Sequence, residues 1–230
     1  MARVKKLLLL SDIHGRGDVA AAIIARHPDI EYVLIAGDIT NFGDVKSART
    51  VIGALSSGGR RLSVSLVAGN CDPAAVREFF MTEDLEIEGR GRELPFASLV
   101  GVGGGLRRAG LTSFERTERE LGEALVAKLS PFSARDRAKP VITLTHTPPY
   151  GTNADRRGET HVGCREFAKS MVEFCPDVWV CGHIHESRCV SLEDGTLVVN
   201  PGPCSGGFYS ILEIGEGPGG TSSVRAFLLK

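Results

Sequence analysis

Six short apolar runs, each with Gly, Asp or His one or two residues after its end, constrain the fold of this chain more than any other feature. Runs of this length, bounded by turn-forming and polar residues, are typical of buried β-strands. The sequence therefore predicts strands at residues 6–10, 32–36, 62–68, 98–102, 141–145 and 178–181.

Apolar residues at a spacing of three to four predict helices between the strands. The clearest are residues 164–175 and the series Leu121, Leu125 and Leu129. Strands that alternate with helices in the first half indicate a layered α/β sheet within one domain, residues 1–230. The second half carries consecutive strand patterns and the hairpin signal Glu193-Asp194-Gly195. We therefore expect residues 187–199 and 208–230 to build a second sheet.

Composition narrows the classes of function. Twenty-seven basic and 28 acidic residues give a formal charge of −1, which disfavours a nucleic-acid polymer as partner. The apolar stretch from Leu7 to Leu10 is too short for a signal peptide or a membrane span, so we expect no membrane partner and a cytoplasmic protein. Six cysteines without a C-x-x-C pair indicate reduced thiols. Assembly of identical chains is compatible with the sequence.

Polar residues that can carry chemistry are concentrated in five segments, each of which follows an apolar run. In an open α/β sheet, side chains just beyond the carboxyl ends of strands converge on one crevice. Residues far apart in sequence can therefore share one site. The segments are residues 11–15, 37–39, 69–72, 145–147 and 182–185.

The D-x-H and H-x-H spacings in these segments fit metal binding, because alternate residues of an extended segment point the same way. The set of donors contains two carboxylates, one amide oxygen and four imidazoles, which suits Mn, Fe or Zn, or Co or Ni, rather than Ca. Seven ligands suffice for two divalent ions that share one bridging carboxylate. The candidates are Asp12, His14, Asp38, Asn70, His146, His183 and His185.

Charge points to the same chemistry. Two divalent cations outweigh the two carboxylates, Asp12 and Asp38, even when a bridging hydroxide is added. A positive pocket attracts a phosphate group, lowers the pKa of bound water and neutralises the charge that grows on the phosphoryl oxygens during attack.

The five segments, in this order, resemble the pattern D-x-H, G-D, G-N-H-D/E, H, G-H-x-H of the calcineurin-like metallophosphoesterase superfamily. The match runs from Asp12 to His185. More narrowly, residues 36–43, 145–152 and 199–203 resemble a prokaryotic branch of predicted phosphoesterases that is related to the Icc protein, a cyclic-nucleotide phosphodiesterase.

This resemblance implies a four-layer α/β/β/α sandwich, with two mixed sheets flanked by helices and the metal centre at the strand ends. It assigns Asp12, His14 and His185 to one metal ion and Asn70, His146 and His183 to the other, with Asp38 as the bridge. The implied activity is metal-dependent hydrolysis of a small phosphate ester, and we expect a phosphodiester. Hydrolysis of a phosphomonoester at the same centre, or a metal-binding scaffold without catalysis, are the alternatives.

Residue 71 departs from the family pattern. A histidine often follows the asparagine, where it is assigned to stabilise the transition state or to protonate the leaving group, and here this residue is Cys71. A neutral thiol is a weak hydrogen-bond donor. We therefore place Cys71 beside Asp38 and Asn70 among the catalytic candidates and expect the change to affect substrate preference.

Two further residues have alternative interpretations. His161 either begins the helix that follows it or contacts the substrate, and we include it among the catalytic candidates. Asp72 either orients a neighbouring ligand or caps the helix that begins at Pro73.

Overall fold

Strands and helices alternate along most of the chain in the computed structural model, which describes residues 4–56, 59, 61–107, 110–132, 137, 139–216 and 222–230. The strands are β1 (Lys5–Leu10), β2 (Tyr32–Ala36), β3 (Ser63–Val67), β4 (Arg92–Leu94), β5 (Ala97–Val102), β6 (Gly105–Leu106), β7 (Glu115–Arg116), β8 (Val141–Thr145), β9 (Arg156–Arg157), β10 (Thr160–His161), β11 (Val178–Val180), β12 (Cys189–Glu193), β13 (Thr196–Asn200), β14 (Tyr209–Glu216) and β15 (Ser222–Leu229).

The helices lie between these strands. They are α1 (Gly17–Ala25), α2 (Val45–Leu55), α3 (Ala74–Thr82), α4 (Glu118–Leu129) and α5 (Arg165–Phe174). None of the helices in the described part of the chain combines the length and the apolar content that crossing a membrane requires.

Two sheets contain most of the strands. The five-stranded sheet has the order β15-β14-β1-β2-β3, and the six-stranded sheet has the order β12-β13-β11-β8-β5-β4. The strands β1, β2 and β3 are parallel, and so are β5, β8, β11 and β13. Antiparallel strands extend the edges, so both sheets are mixed.

The two sheets pack face to face, and helices cover their outer faces. Side chains of β1 show this arrangement: Leu8 and Leu10 pack on the helical side, whereas Leu7 and Leu9 belong to the core between the sheets. A strand that is covered on both faces is apolar at consecutive positions. The helices α4 and α5 pack on the outer face of the six-stranded sheet, around Trp179.

The predicted four-layer α/β/β/α sandwich is therefore confirmed. The six predicted strands and the two predicted helices form close to their expected bounds. The predicted hairpin also forms, since Glu193 pairs with Thr196 and the two turn residues Asp194 and Gly195 have φ of 48° and 85°.

The expected membership of the second sheet is wrong for residues 208–230. Strands β14 and β15 join the first sheet, where β14 pairs antiparallel with β1. Apolar side chains on both faces of β14 explain this position: Ile211 packs on the helical side and Leu212 on the core between the sheets. The inner position beside β1 covers both faces, as this pattern requires.

We expect Leu212→Ala to lower the free energy of unfolding by about 2 to 5 kcal/mol, because the side chain is fully buried between the sheets. Leu192→Ala on β12 is the control, since Leu192 is 73% exposed and its removal is expected to change stability by less than about 0.5 kcal/mol. Urea unfolding measures both. Equal losses of stability in the two variants would contradict a covered position for β14 in the first sheet.

Candidate metal centre

Loops that follow five strands bring the seven predicted donors into one cluster. Asp12 and His14 follow β1, Asp38 follows β2 and Asn70 follows β3. The other three donors come from the six-stranded sheet: His146 follows β8, and His183 and His185 follow β11. The carboxyl ends of parallel strands in the two packed sheets therefore meet at this cluster.

Asp12, His14 and His185 form one part of the cluster, with donor atoms within 4.8 Å of one another. Nε2 of His185 lies 3.2 Å from Oδ1 of Asp12 and 3.5 Å from Nε2 of His14. Nε2 of His14 lies 3.8 Å from the same carboxylate oxygen. The donor atoms of these three side chains, which the family resemblance assigns to one ion, therefore lie close together.

Asn70, His146 and His183 form the second part of the cluster. Nε2 of His146 lies 2.9 Å from Oδ1 of Asn70 and 3.2 Å from Nδ1 of His183. The rings of the two histidines meet edge to face. These contacts group the side chains that the family resemblance assigns to a second ion.

Asp38 lies between the two parts. Its Oδ2 is 3.8 Å from Nε2 of His14 and 3.5 Å from Nε2 of His146. Its Oδ1 accepts a hydrogen bond of 2.8 Å from the backbone N–H of Cys71. The carboxylate therefore faces both halves of the cluster through one oxygen and is held in place through the other.

Neighbouring groups fix the orientation of Asp12 in a similar way. Oδ2 accepts hydrogen bonds from the Ser11 hydroxyl and from the backbone N–H of His183. Oδ1 is buried and has no hydrogen-bond partner among the described residues. A buried acceptor of this kind, aimed at His14 and His185, is suited to receive a cation.

A backbone carbonyl sets the orientation of His146. Nδ1 lies 2.8 Å from the carbonyl oxygen of Ala36, to which it donates. In the neutral imidazole, Nε2 therefore presents its lone pair to Asn70, Asp38 and His183. This is the arrangement that histidines adopt when they bind metal ions.

The buried carboxylates of the cluster carry negative charge that a cation would compensate. Burial would raise the pKa of Asp12, but the His185 imidazole, 3.2 Å from Oδ1, and the charge of His146 hold this pKa below its ordinary value. Burial would likewise raise the pKa of Asp38, but the charge and contact of His146, the backbone N–H of Cys71 and the charge of His14 together outweigh this effect and keep the pKa low. Asp12 is 1% exposed and Asp38 is 3% exposed. Among the described residues, the ion pairs of both carboxylates involve histidines alone.

The two innermost histidines respond to these charges in opposite directions. Burial would lower the pKa of His146, but Asp38 raises it to about 9. Burial, followed by the charge of the adjacent His146, lowers the pKa of His183 to about 4. A proton on His146 thus offsets the carboxylates, and a bound metal ion would take over this role with neutral imidazoles as ligands. The donor set and its buried negative charge fit a divalent cation.

The backbone at the site is strained. Asp12, His14, Asp38 and His183 have φ of 52°, 47°, 52° and 69°, in the left-handed region that residues other than glycine rarely adopt. Each such residue costs about 1 to 3 kcal/mol and persists only where the surroundings enforce it. Backbone hydrogen bonds enforce it here, including that from His14 to the carbonyl of Asp38.

Asp72 ties two of the site loops together. Its carboxylate is fully buried and accepts hydrogen bonds from the backbone of Ile39, from the backbone and hydroxyl of Thr40 and from the backbone of Gly69. Burial, followed by the charge of Asp38, raises its pKa. The alternative role as a helix cap is wrong, because no side chain caps the N-terminus of α3. Asp72 instead holds the loop of Asp38 against the loop of Asn70.

Cys71 lies in the cluster as a buried thiol. Its Sγ is within 4.8 Å of donor atoms of His14 and Asp38, and it accepts a weak hydrogen bond of 3.4 Å from the amide of Asn70. Burial, followed by the charge of Asp38, raises the pKa of this thiol far above its usual value. The side chain is therefore neutral at physiological pH.

His161 lies on strand β10, and α5 begins four residues later at Arg165, so the predicted role as a helix-start residue is wrong. Nδ1 of His161 is 2.5 Å from Oδ1 of Asp155, and its ring lies beside Tyr150. Asp155 is fully buried and also accepts from the backbone of Gly151 and Gly163. Asp155 had no role in the sequence-based prediction, because no recognisable spacing connects it to a metal-binding motif.

The fold and the clustered donors define a metal-binding α/β/β/α protein. Residues 5–187 match the model of the calcineurin-like phosphoesterase family, and the chain belongs to this family. This membership places it among the metallophosphoesterase hydrolases. The chain is 30% identical to the uncharacterized protein MJ1162 of Methanocaldococcus jannaschii over 210 residues, which cover 89% of this chain and 91% of that protein.

Solved structures support the fold. The protein TT1561 of Thermus thermophilus is 17% identical with a TM-score of 0.70, and the alignment covers 97% of this chain and 99% of that one. A dimetal phosphatase from Danio rerio is 12% identical with a TM-score of 0.64, and the alignment covers 96% and 98% of the two chains.

We expect Asp72→Asn to lower the free energy of unfolding by about 1 to 3 kcal/mol, because the new amide places N–H groups against backbone donors. The dissociation constant for added Mn²⁺ is expected to rise about 10- to 100-fold. Asp44→Asn is the control, because Asp44 caps α2 and asparagine caps helices equally well. Calorimetric titration and urea unfolding measure these effects, and a metal affinity equal to that of wild type would refute the role of Asp72.

Proposed function

We propose that the protein is a phosphoesterase that binds two divalent metal ions. The main support for this proposal is the position of Asp38. One carboxylate oxygen faces both His14 and His146, which belong to different halves of the donor cluster. Asp12, His14 and His185 would hold one ion, and Asn70, His146 and His183 would hold the other. Asp38 would serve both.

The chemistry of the donors supports Mn, Fe or Zn as the ions, with Co or Ni as further candidates, because imidazole nitrogen and carboxylate oxygen suit these metals. Ions bound at such a site lower the pKa of water and stabilise charge on the phosphoryl oxygens. The similarly folded Danio rerio protein, which is described as a dimetal phosphatase, supports the number of two.

We expect two ions per chain after metal loading. Asp38→Asn is expected to lower kcat/KM by more than about a hundredfold, and Asn70→Asp to lower it less, because the Asp38 charge compensates both cations. Elemental analysis gives the metal content, and hydrolysis of an aryl phosphodiester gives the activity. A folded chain that binds no metal would refute the proposal, whereas equal losses at unchanged metal content would refute only the bridging role.

The substrate in this proposal is a small phosphodiester with an acidic leaving group. The departing oxygen must leave as an anion or receive a proton. Cys71 offers a neutral thiol whose pKa is raised by burial, and a thiol is a poor proton donor to oxygen. Esters whose leaving groups need little protonation are therefore favoured over alkyl monoesters.

The dyad of His161 and Asp155 would supply part of the proton donation that Cys71 lacks. Asp155 holds Nδ1 of His161, so the second ring nitrogen remains for a substrate oxygen. In the hairpin that carries His161, this residue pairs with Arg156. The carbonyl of Arg156 accepts a hydrogen bond from the hydroxyl of Ser187. Because Ser187 lies two residues after His185, the hairpin packs beside this predicted metal ligand. In the proposal, His161 contacts the ester group at the entrance of the metal centre.

Variants of these two residues test the leaving-group proposal. We expect His161→Ala to lower kcat/KM about a hundredfold for esters with poor leaving groups and less for aryl esters. Cys71→His is expected to flatten the dependence on leaving-group pKa. The measurement is kcat/KM over a graded series of diesters and monoesters.

Asn153→Ala is the control for the hairpin region, because Asn153 contacts Glu193 and lies outside the dyad. Metal content is determined in each variant. If neither variant changes the slope of kcat/KM against leaving-group pKa, neither residue acts on the leaving group. A wild-type preference for alkyl monoesters would favour the alternative, a phosphomonoesterase.

A further inference from the structure

Phe42 has an unusual backbone conformation beside the metal centre. Its φ is 54°, in the left-handed region, although Asn41 and Gly43 on either side would adopt this conformation at lower steric cost. Strain at a bulky residue persists where the surroundings enforce it, and it concentrates at functional sites.

Hydrogen bonds connect Phe42 directly to the donor cluster. Its backbone N–H donates to the carbonyl of Cys71 at 3.0 Å, and the backbone N–H of Cys71 donates to Asp38 at 2.8 Å. On the other side, Asp44 caps helix α2 through the backbone N–H of Ser47. The turn that carries Phe42 is therefore fixed at both ends.

The aromatic side chain of Phe42 is nevertheless exposed. The residue is 52% exposed, whereas the core around α2 buries neighbours such as Ile39 and Ala48 completely. A phenyl ring in water contributes little to the stability of the fold, and an exposed ring on a turn whose backbone is bonded to Cys71 suits an apolar contact for a ligand.

We propose that Phe42 selects esters that carry a flat aromatic group, by stacking against that group while the phosphate occupies the metal centre. Stacking on an exposed ring accepts any flat π-system, so an aryl group and a nucleobase share the chemistry. This inference rests on the proposed function, because the metal centre positions the phosphate. It adds a determinant of substrate class outside the metal ligands.

Binding of non-hydrolysable probes tests the proposal without turnover. The metal-loaded protein is titrated by calorimetry with phenylphosphonate and with methylphosphonate, and wild type is expected to bind the phenyl compound about tenfold more tightly. Phe42→Asn removes the ring and keeps a residue that tolerates the left-handed conformation, so we expect it to abolish this preference. Phe42→Tyr is expected to retain it.

Nucleotide probes identify the source of the aromatic group. A preference for adenosine 5′-monophosphate over ribose 5-phosphate that Phe42→Asn removes identifies a nucleobase, whereas a preference limited to phenylphosphonate identifies an aryl ester. Phe227→Ala is the matched control, because Phe227 is 46% exposed on the edge strand β15. This control is expected to bind every probe as wild type does.

Two results would overturn the role of Phe42. One is equal binding of phenyl- and methylphosphonate by wild type, and the other is a loss in Phe42→Asn that is the same for both probes. Absence of ester hydrolysis by metal-loaded wild type, with the phenyl preference intact, would overturn the proposed function and leave the aromatic contact in place.

Discussion

Two ionised carboxylates that share a buried pocket with imidazoles are the constraint on which the structure depends. Asp12 and Asp38 present oxygens within 4.8 Å of each other and of His146. Buried like charges at this separation destabilise a fold unless a cation compensates them. No lysine or arginine in the described part of the chain is paired with either one. The histidines, and the metal ions that they suit, are the remaining source of positive charge.

The fold satisfies this constraint through backbone geometry. Four of the seven donors, Asp12, His14, Asp38 and His183, are themselves strained left-handed residues, and hydrogen bonds between loops hold this backbone in place. Asp72 also holds these loops in place, because its carboxylate accepts hydrogen bonds from backbone groups of two loops. The rigidity of the site thus comes from the loops around the donors as much as from the donors themselves.

Sequence patterns predict the parts of this arrangement that depend on local periodicity. Apolar runs locate the strands because each strand is covered on both faces, and the polar residues after them locate the seven donors. Pairing between distant strands has no such local signal, which is why the predicted sheet membership of residues 208–230 is wrong. The hydrogen bond between Asp155 and His161 likewise has no signal in the sequence, because it depends on a hairpin whose two strands contain only two residues each.

The proposed metal ligands come from both sheets, and this affects the stability of the whole protein. Each proposed ion takes ligands from both sheets: Asp12 and His185 for one, Asn70 and His146 for the other. The ions would then act as clamps across the sandwich, because separating the layers would also break the coordination. A ligand that binds only the native state at a hundred times its dissociation constant adds about 2.7 kcal/mol to stability. Metal supply would therefore set the resistance of the protein to unfolding and proteolysis, independently of any effect on catalysis.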